Sequence, residues 1–320
     1  MKNYYLILCS VLFLTSCMKE ELPIPKHDPG NVITNSVDIG ATYKWQVYFN
    51  LQNNTVVGKN LKTDWDLGFE TSETGYRVVL NSSKVMFARE TGSTDFASVV
   101  DTAGFESAKK YDKPNGDMNY TAIGDWKTTP NQVYVIDRGY NDIGAHQGFR
   151  KIVFQSVDNT SYSIKFANLN GSNENTITIP KDSNYNFTFF SFSTMNTVSV
   201  EPPKKDWDIV FTQYLEDLGT PYLVTGCLIN RHETSAAADS ITDFSSITYD
   251  FAQTKTLTQN LNTIGYDWKE YDFDNSSYTI FPHKNYIVKD KNGYYYKLHF
   301  IDFYNTSGVK GNPTFEFQKL

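Results

Sequence analysis

Two short motifs carry the carboxylates best spaced to do chemistry together. Thr63-Asp64-Trp65-Asp66-Leu67-Gly68-Phe69 recurs 142 residues later as Lys205-Asp206-Trp207-Asp208-Ile209-Val210-Phe211. On a strand, Asp64 and Asp66 share one face and Trp65 takes the other, because side chains alternate. Paired acids of this kind suit general acid–base work or a hard cation. Two apart on one strand, however, they lie side by side. Glycoside hydrolysis sets its carboxyls across a bond, about 5 Å or more apart. The tryptophans therefore read as core anchors and the aspartates as strand-edge or turn-binding residues. The chain holds no Gly-Xaa-Ser-Xaa-Gly, no His-Glu-Xaa-Xaa-His, no phosphate loop and no cysteine pair for a metal. An enzyme is not expected.

The N-terminus offers a different chemistry. Lys2 precedes an apolar run, Tyr4 to Leu14, too short for a membrane-spanning helix of about 20 residues. Leu14-Thr15-Ser16-Cys17 follows and looks like the bacterial lipobox, which predicts a signal peptide over 1–16 and acylation of Cys17. More than one acyl chain on a single cysteine anchors a protein stably. Lys19-Glu20-Glu21 directly behind it resembles the surface-export signal of Bacteroidetes lipoproteins, so a lipid-anchored, cell-surface position on the outer membrane is expected. Pro23, Pro25 and Pro29 mark residues 17–36 as an extended tether. Cys227 is then the one cysteine left, within the apolar run Leu223 to Ile229, and reads as a small buried hydrophobe.

The elements behind these residues are strands. Net charge is −7 without a basic block, which argues against a nucleic-acid partner. Aromatic residues make up 15% of the chain, alongside many Asn, Thr and Ser, which suits pleated surfaces joined by polar turns. Ser161 to Phe166, Thr176 to Ile179 and Thr314 to Gln318 alternate at period two. Gln132 to Ile136 and Tyr286 to Val288 are strand-like and end in turns. No stretch of twelve residues keeps a helical apolar period. The class is all-β.

The repeated motif belongs to a longer duplication. Ile123-Gly124-Asp125-Trp126-Lys127 answers Ile264 to Lys269, Tyr134 to Gly139 answers Tyr286 to Gly293, and Phe149 to Phe154 answers Tyr295 to Phe300. Four blocks in one order predict two tandem β-sandwich-like copies, 37–170 and 178–320, joined near Gly171-Ser172-Asn173. The aromatic strand Phe187 to Phe192, the segment Asp206 to Phe211 and the closing strands from Tyr286 to Phe317 resemble the HmuY haem-binding lipoproteins of Bacteroidetes. The first copy shares the resemblance through the repeat.

That resemblance implies an outer-membrane lipoprotein capturing haem or a related porphyrin, with a TonB-type receptor as partner. It implies two axial ligands, histidine or methionine, and haem iron also accepts Tyr or Cys. Neither family ligand position carries a clear histidine. Met118, in Pro114 to Met118, is the nearest counterpart of the first, and the segment after Trp268 supplies no second. Met118, His232 and His283 are the ligand candidates. His146 and His299 read as solvent-facing and Met195 as a turn residue. The alternative is a surface module for glycan or protein that has lost haem ligation. An exposed strip of Tyr and Trp would mark it.

Overall fold

The period-two runs are strands, and a computed structural model describes them over residues 29–320. The signal segment, Cys17 and the tether as far as residue 28 lie outside the described residues. Nine strands come from the first copy: β1 (Ile33–Ser36), β2 (Trp45–Asn50), β3 (Thr55–Leu61), β4 (Leu67–Glu70), β5 (Val78–Leu80), β6 (Phe87–Glu90), β7 (Val133–Asp137), β8 (Phe149–Val157) and β9 (Ser161–Ala167). The second copy adds β10 (Asn175–Pro180), β11 (Phe187–Ser191), β12 (Asn196–Val198), β13 (Ile209–Asp217), β14 (Pro221–Ile229) and β15 (Ser235–Asp239). It continues with β16 (Lys269–Asp272), β17 (Ser277–Ile280), β18 (Asn285–Lys289), β19 (Tyr295–Tyr304) and β20 (Lys310–Lys319). The described α-helices, α1 (Phe105–Ala108) and α2 (Tyr249–Gln253), are single turns.

These strands make two sandwiches, and the chain divides between them in an unexpected place. In one, the sheet β12-β11-β4-β5 faces β10-β9-β8-β7-β6. Phe69, Phe154, Ile164 and Phe190 are among the side chains that fill the gap. In the other, β14-β13-β2-β3 faces β1-β20-β19-β18-β15, with Phe49, Phe211, Trp268, Phe300 and Phe315 between. Strand β2 thus pairs with β13 of the second copy, Phe49 opposite Ile209, and β11 pairs with β4 of the first, Phe190 opposite Leu67. Each copy sends its first three strands to the other sandwich. The first sandwich is consequently one continuous stretch, β4 to β12, inserted between β3 and β13 of the second.

Two expectations are corrected here. Residues 33–36, assigned to the tether, form β1 and pair with β20, Ile33 opposite Phe317, because Ile33 packs on the second core. Asp64 and Asp66 are not on a strand. They lie in the turn where the chain crosses from β3 to β4, and Asp64 Oδ2 accepts from the Leu61 N–H at 3.0 Å.

The lysine shared by the Phe149 and Tyr295 blocks has a structural use. Lys151 Nζ donates to Phe96 O and Val99 O, while Lys297 Nζ donates to Phe244 O and Ile247 O. Each staples its copy's long connection onto the outer sheet face. The same cover buries His299, read from sequence as solvent-facing. It lies on the outer face, but its ring stacks on Phe244 at 4.0 Å, with Nδ1 2.7 Å from Pro282 O and Nε2 3.0 Å from Glu316 Oε2.

Candidate functional site

The crossings from β3 to β4 and from β12 to β13 place Trp65 and Trp207 between the sandwiches. Both are buried, as expected of anchors, yet neither belongs to the two central cores. Trp65 packs edge-on to Phe189 at 4.7 Å and Trp207 edge-on to Tyr48 at 5.0 Å. Together with Phe187 and Met118 these rings line a cavity of about 170 Å³.

The aspartate after each tryptophan explains why the tryptophans are held there. Asp66 Oδ2 accepts from the Phe192 N–H at 2.7 Å, and its own N–H donates to Phe190 O. Asp208 Oδ2 likewise accepts from the Leu51 N–H at 2.7 Å, and its N–H donates to Phe49 O. Each aspartate therefore clamps the end of the strand received from the other copy. Asn81 and Asn230 complete the match. Asn81 Nδ2 donates to Lys62 O and Trp65 O, and Asn230 Nδ2 to Lys204 O and Trp207 O.

Charged groups gather on one side of the cavity. Burial pushes Asp112 up to about 6, although it accepts from the Leu80 and Ala122 N–H groups. Burial pushes Glu201 up to about 7 against hydrogen bonds from Asn186 and Phe187. Arg231 donates Nη1 to Gly116 O at 2.7 Å and lies over Phe187. Gly116 has φ +74°, and a Cβ there would fall 2.4 Å from Leu261. The bare backbone is what lets the loops of both copies close this edge.

Of the three ligand candidates, Met118 is the one the fold brings to the cavity. It starts a turn of 3₁₀ helix capped by Asp117, which accepts from Asn119 N–H at 2.9 Å. His232 is half-buried beside Arg231, and burial, with Lys204 and other lysines nearby, holds it below the usual imidazole range. His283 is exposed in the turn before β18. Neither histidine lines the cavity. No cluster of three or more His, Cys, Asp or Glu suited to a metal ion occurs among the described residues. His146 is exposed and paired with Asp137 at 2.7 Å, and Met195 is exposed in its turn. Cys227 is fully buried, and burial pushes its thiol up.

Sequence reasoning missed Arg231, Glu201 and Asp112. Arg231 had one local signal, a cation two residues past the apolar run Leu223 to Ile229. The two acids become site residues only when distant loops meet.

The chain matches the family described as HmuY protein over residues 42–181 and 183–317. No curated protein matches it. Among solved structures, an apo HmuY analog from Tannerella forsythia is 13% identical, with 92% of this chain and 98% of that chain covered and a TM-score of 0.33. A putative HmuY-like heme binding protein from Bacteroides vulgatus is 15% identical, covers 89% and 90%, and has a TM-score of 0.24. Apo PinO from Porphyromonas gingivitis is 10% identical, covers 91% and 97%, and has a TM-score of 0.27.

Proposed function

The chain belongs to the HmuY family, and on that premise we propose that it is a non-enzymatic surface lipoprotein capturing haem or a related porphyrin. Acylated Cys17 holds it on the outer membrane, from which it passes its ligand to a TonB-type receptor. The observation that carries the reading is Met118, a thioether at an aromatic cavity between the sandwiches. A cavity of about 170 Å³ is smaller than the roughly 300–1,000 Å³ of pockets that enclose a small molecule. Met118 would offer its thioether to the iron of a porphyrin at the mouth of this cavity.

A single thioether favours reduced iron over oxidised iron. Haemin titration should give a weak ferric spectrum and a sharper Soret band after reduction, and Met118→Ala should remove the sharpening. A flat titration in both redox states would eliminate the porphyrin. The aromatic cluster at the β16–β17 hairpin, the place where a glycan strip could form, is not an open strip. Tyr271, Tyr278 and Tyr43 are half-buried, with Tyr278 against Tyr271 and Phe303, and Phe273 alone of this cluster stands exposed at the hairpin tip.

A further inference from the structure

The hairpin β16–β17 forms a sheet of its own and packs on the second core through Tyr278 and Ile280. Tyr278 lies edge-on to Phe303 at 4.9 Å. Its backbone N–H donates to Tyr304 Oη at 2.7 Å, and its hydroxyl accepts from the Tyr43 hydroxyl at 3.3 Å. Two phenols from segments 235 residues apart thus meet oxygen to oxygen.

Tyr43 is held there against its backbone preference. It closes a turn on Gly40 O with φ +56°, in the left-handed region that side chains other than glycine's avoid. Tyr185, its counterpart at the 142-residue offset, closes the equivalent turn on Asp182 O without entering that region. Such a conformation persists only where surrounding contacts fix the residue. Here those contacts include the Phe303 ring at 5.7 Å and the Tyr278 hydroxyl.

This arrangement suits oxidative coupling. Loss of one electron and one proton from each phenol gives two phenoxyl radicals, whose spin lies partly on the ring carbons ortho to oxygen. When those carbons join, the product keeps its two oxygens side by side, as they already are. Tyr271 instead meets Tyr278 edge to face, with 63° between the ring planes.

We propose that Tyr43 and Tyr278 are a modification site, joined as dityrosine by an external haem peroxidase with hydrogen peroxide. A carbon–carbon bond forms, each ring gives up one hydrogen, and the two electrons and two protons released reduce one peroxide to two waters. The crosslink fastens the hairpin to the turn before β2. It is independent of the porphyrin reading.

The test treats the whole protein, free of porphyrin, with a haem peroxidase and limiting peroxide, and then separates monomer from linked dimer. Exposed Tyr120 and Tyr222 can couple between molecules, so the monomer alone reports on the pair. It should gain dityrosine fluorescence, and its digest should hold one linked peptide pair bearing residues 43 and 278, two hydrogens lighter than its parts. Tyr43→Phe and Tyr278→Phe should each remove nearly all of that fluorescence, while Tyr271→Phe should keep it. The linked monomer should unfold at higher urea, because the bond closes a long loop in the unfolded chain. The proposal is overturned if the monomer stays dark under conditions that couple free tyrosine. It is also overturned if the linked peptides carry Tyr271 in place of Tyr43, or if Tyr43→Phe leaves the signal intact.

Discussion

The two sandwiches contain equivalent strands, yet one is a continuous stretch of chain and the other is assembled from both ends. Residues 67–198 supply every strand of the first, while the second joins β1–β3 to β13–β15 and β18–β20, with β16 and β17 a separate hairpin. The clamps differ as well. Asp66 is fully buried between Lys84 and Arg138, with Arg138 Nη2 3.1 Å from Oδ2. Asp208, 1% exposed, has the same backbone contacts but no ion pair among the described residues, and burial pushes it up to about 6, with Asp290 adding to the shift and Lys291 opposing it. The copies of a duplicated sequence thus need not be the units that fold, and identical motifs can end in opposite electrostatic settings.

The largest effect should come from cutting the chain along one division or the other. Residues 62–204 contain both sheets of the first sandwich and the Asp66 clamp on Phe192. This fragment should give a β-type circular dichroism spectrum and a cooperative urea transition. It loses the contact that Leu215 and Leu223 make with Phe87 and Phe105, so it should be less stable than the whole chain. The repeat unit 37–170 keeps β2 and β3 without β13, and β4 without β11, and should not fold cooperatively. A cooperative, monomeric 37–170 would show that β2 can close onto its own β4.

A smaller effect separates the clamps. Asp66→Asn strands Lys84 and Arg138 as buried cations and should cost about 3–5 kcal/mol in a denaturant melt. Asp208→Asn keeps an acceptor for Leu51 and sheds an uncompensated charge, so its change at pH 7 should be below about 1 kcal/mol, in either direction. Equal losses would erase the distinction.

The smallest effect is in pH dependence. Asp208 has its folded pKa, about 6, above the ordinary value of 3.8, so between those values the folded state holds a proton that the unfolded state has released. Its charged form costs stability above pH 6, and the cost fades as pH falls, fully relieved below about 4. Asp112 and Glu201 act in the same direction. Asp208→Asn should therefore flatten the gain in stability between pH 7 and 5 by on the order of 1 kcal/mol. An unchanged slope would mean that Asp208 is ionised without penalty.

Much of this was legible in residue order. Alternation in Ser161 to Phe166 or Thr314 to Gln318 specifies strands because one face of a pleated segment must be buried. The recurrence of Asp-Trp-Asp marked equivalent places, and Trp65 and Trp207 are both buried. Local pattern could not say which partner β2 would choose, since β4 and β13 are copies offering the same edge and the same aspartate. That choice belongs to the path of the crossings at 62–66 and 199–208. The same path brings Met118, Arg231 and Trp207 around one cavity, from positions up to 113 residues apart. The side chain alternation along β19 places His299 on the outer face, as read. Its burial was decided only when Phe244, 55 residues earlier, was folded over it by Lys297. Period and motif are written in neighbouring residues, whereas cover, partner and charge balance depend on what distant segments bring.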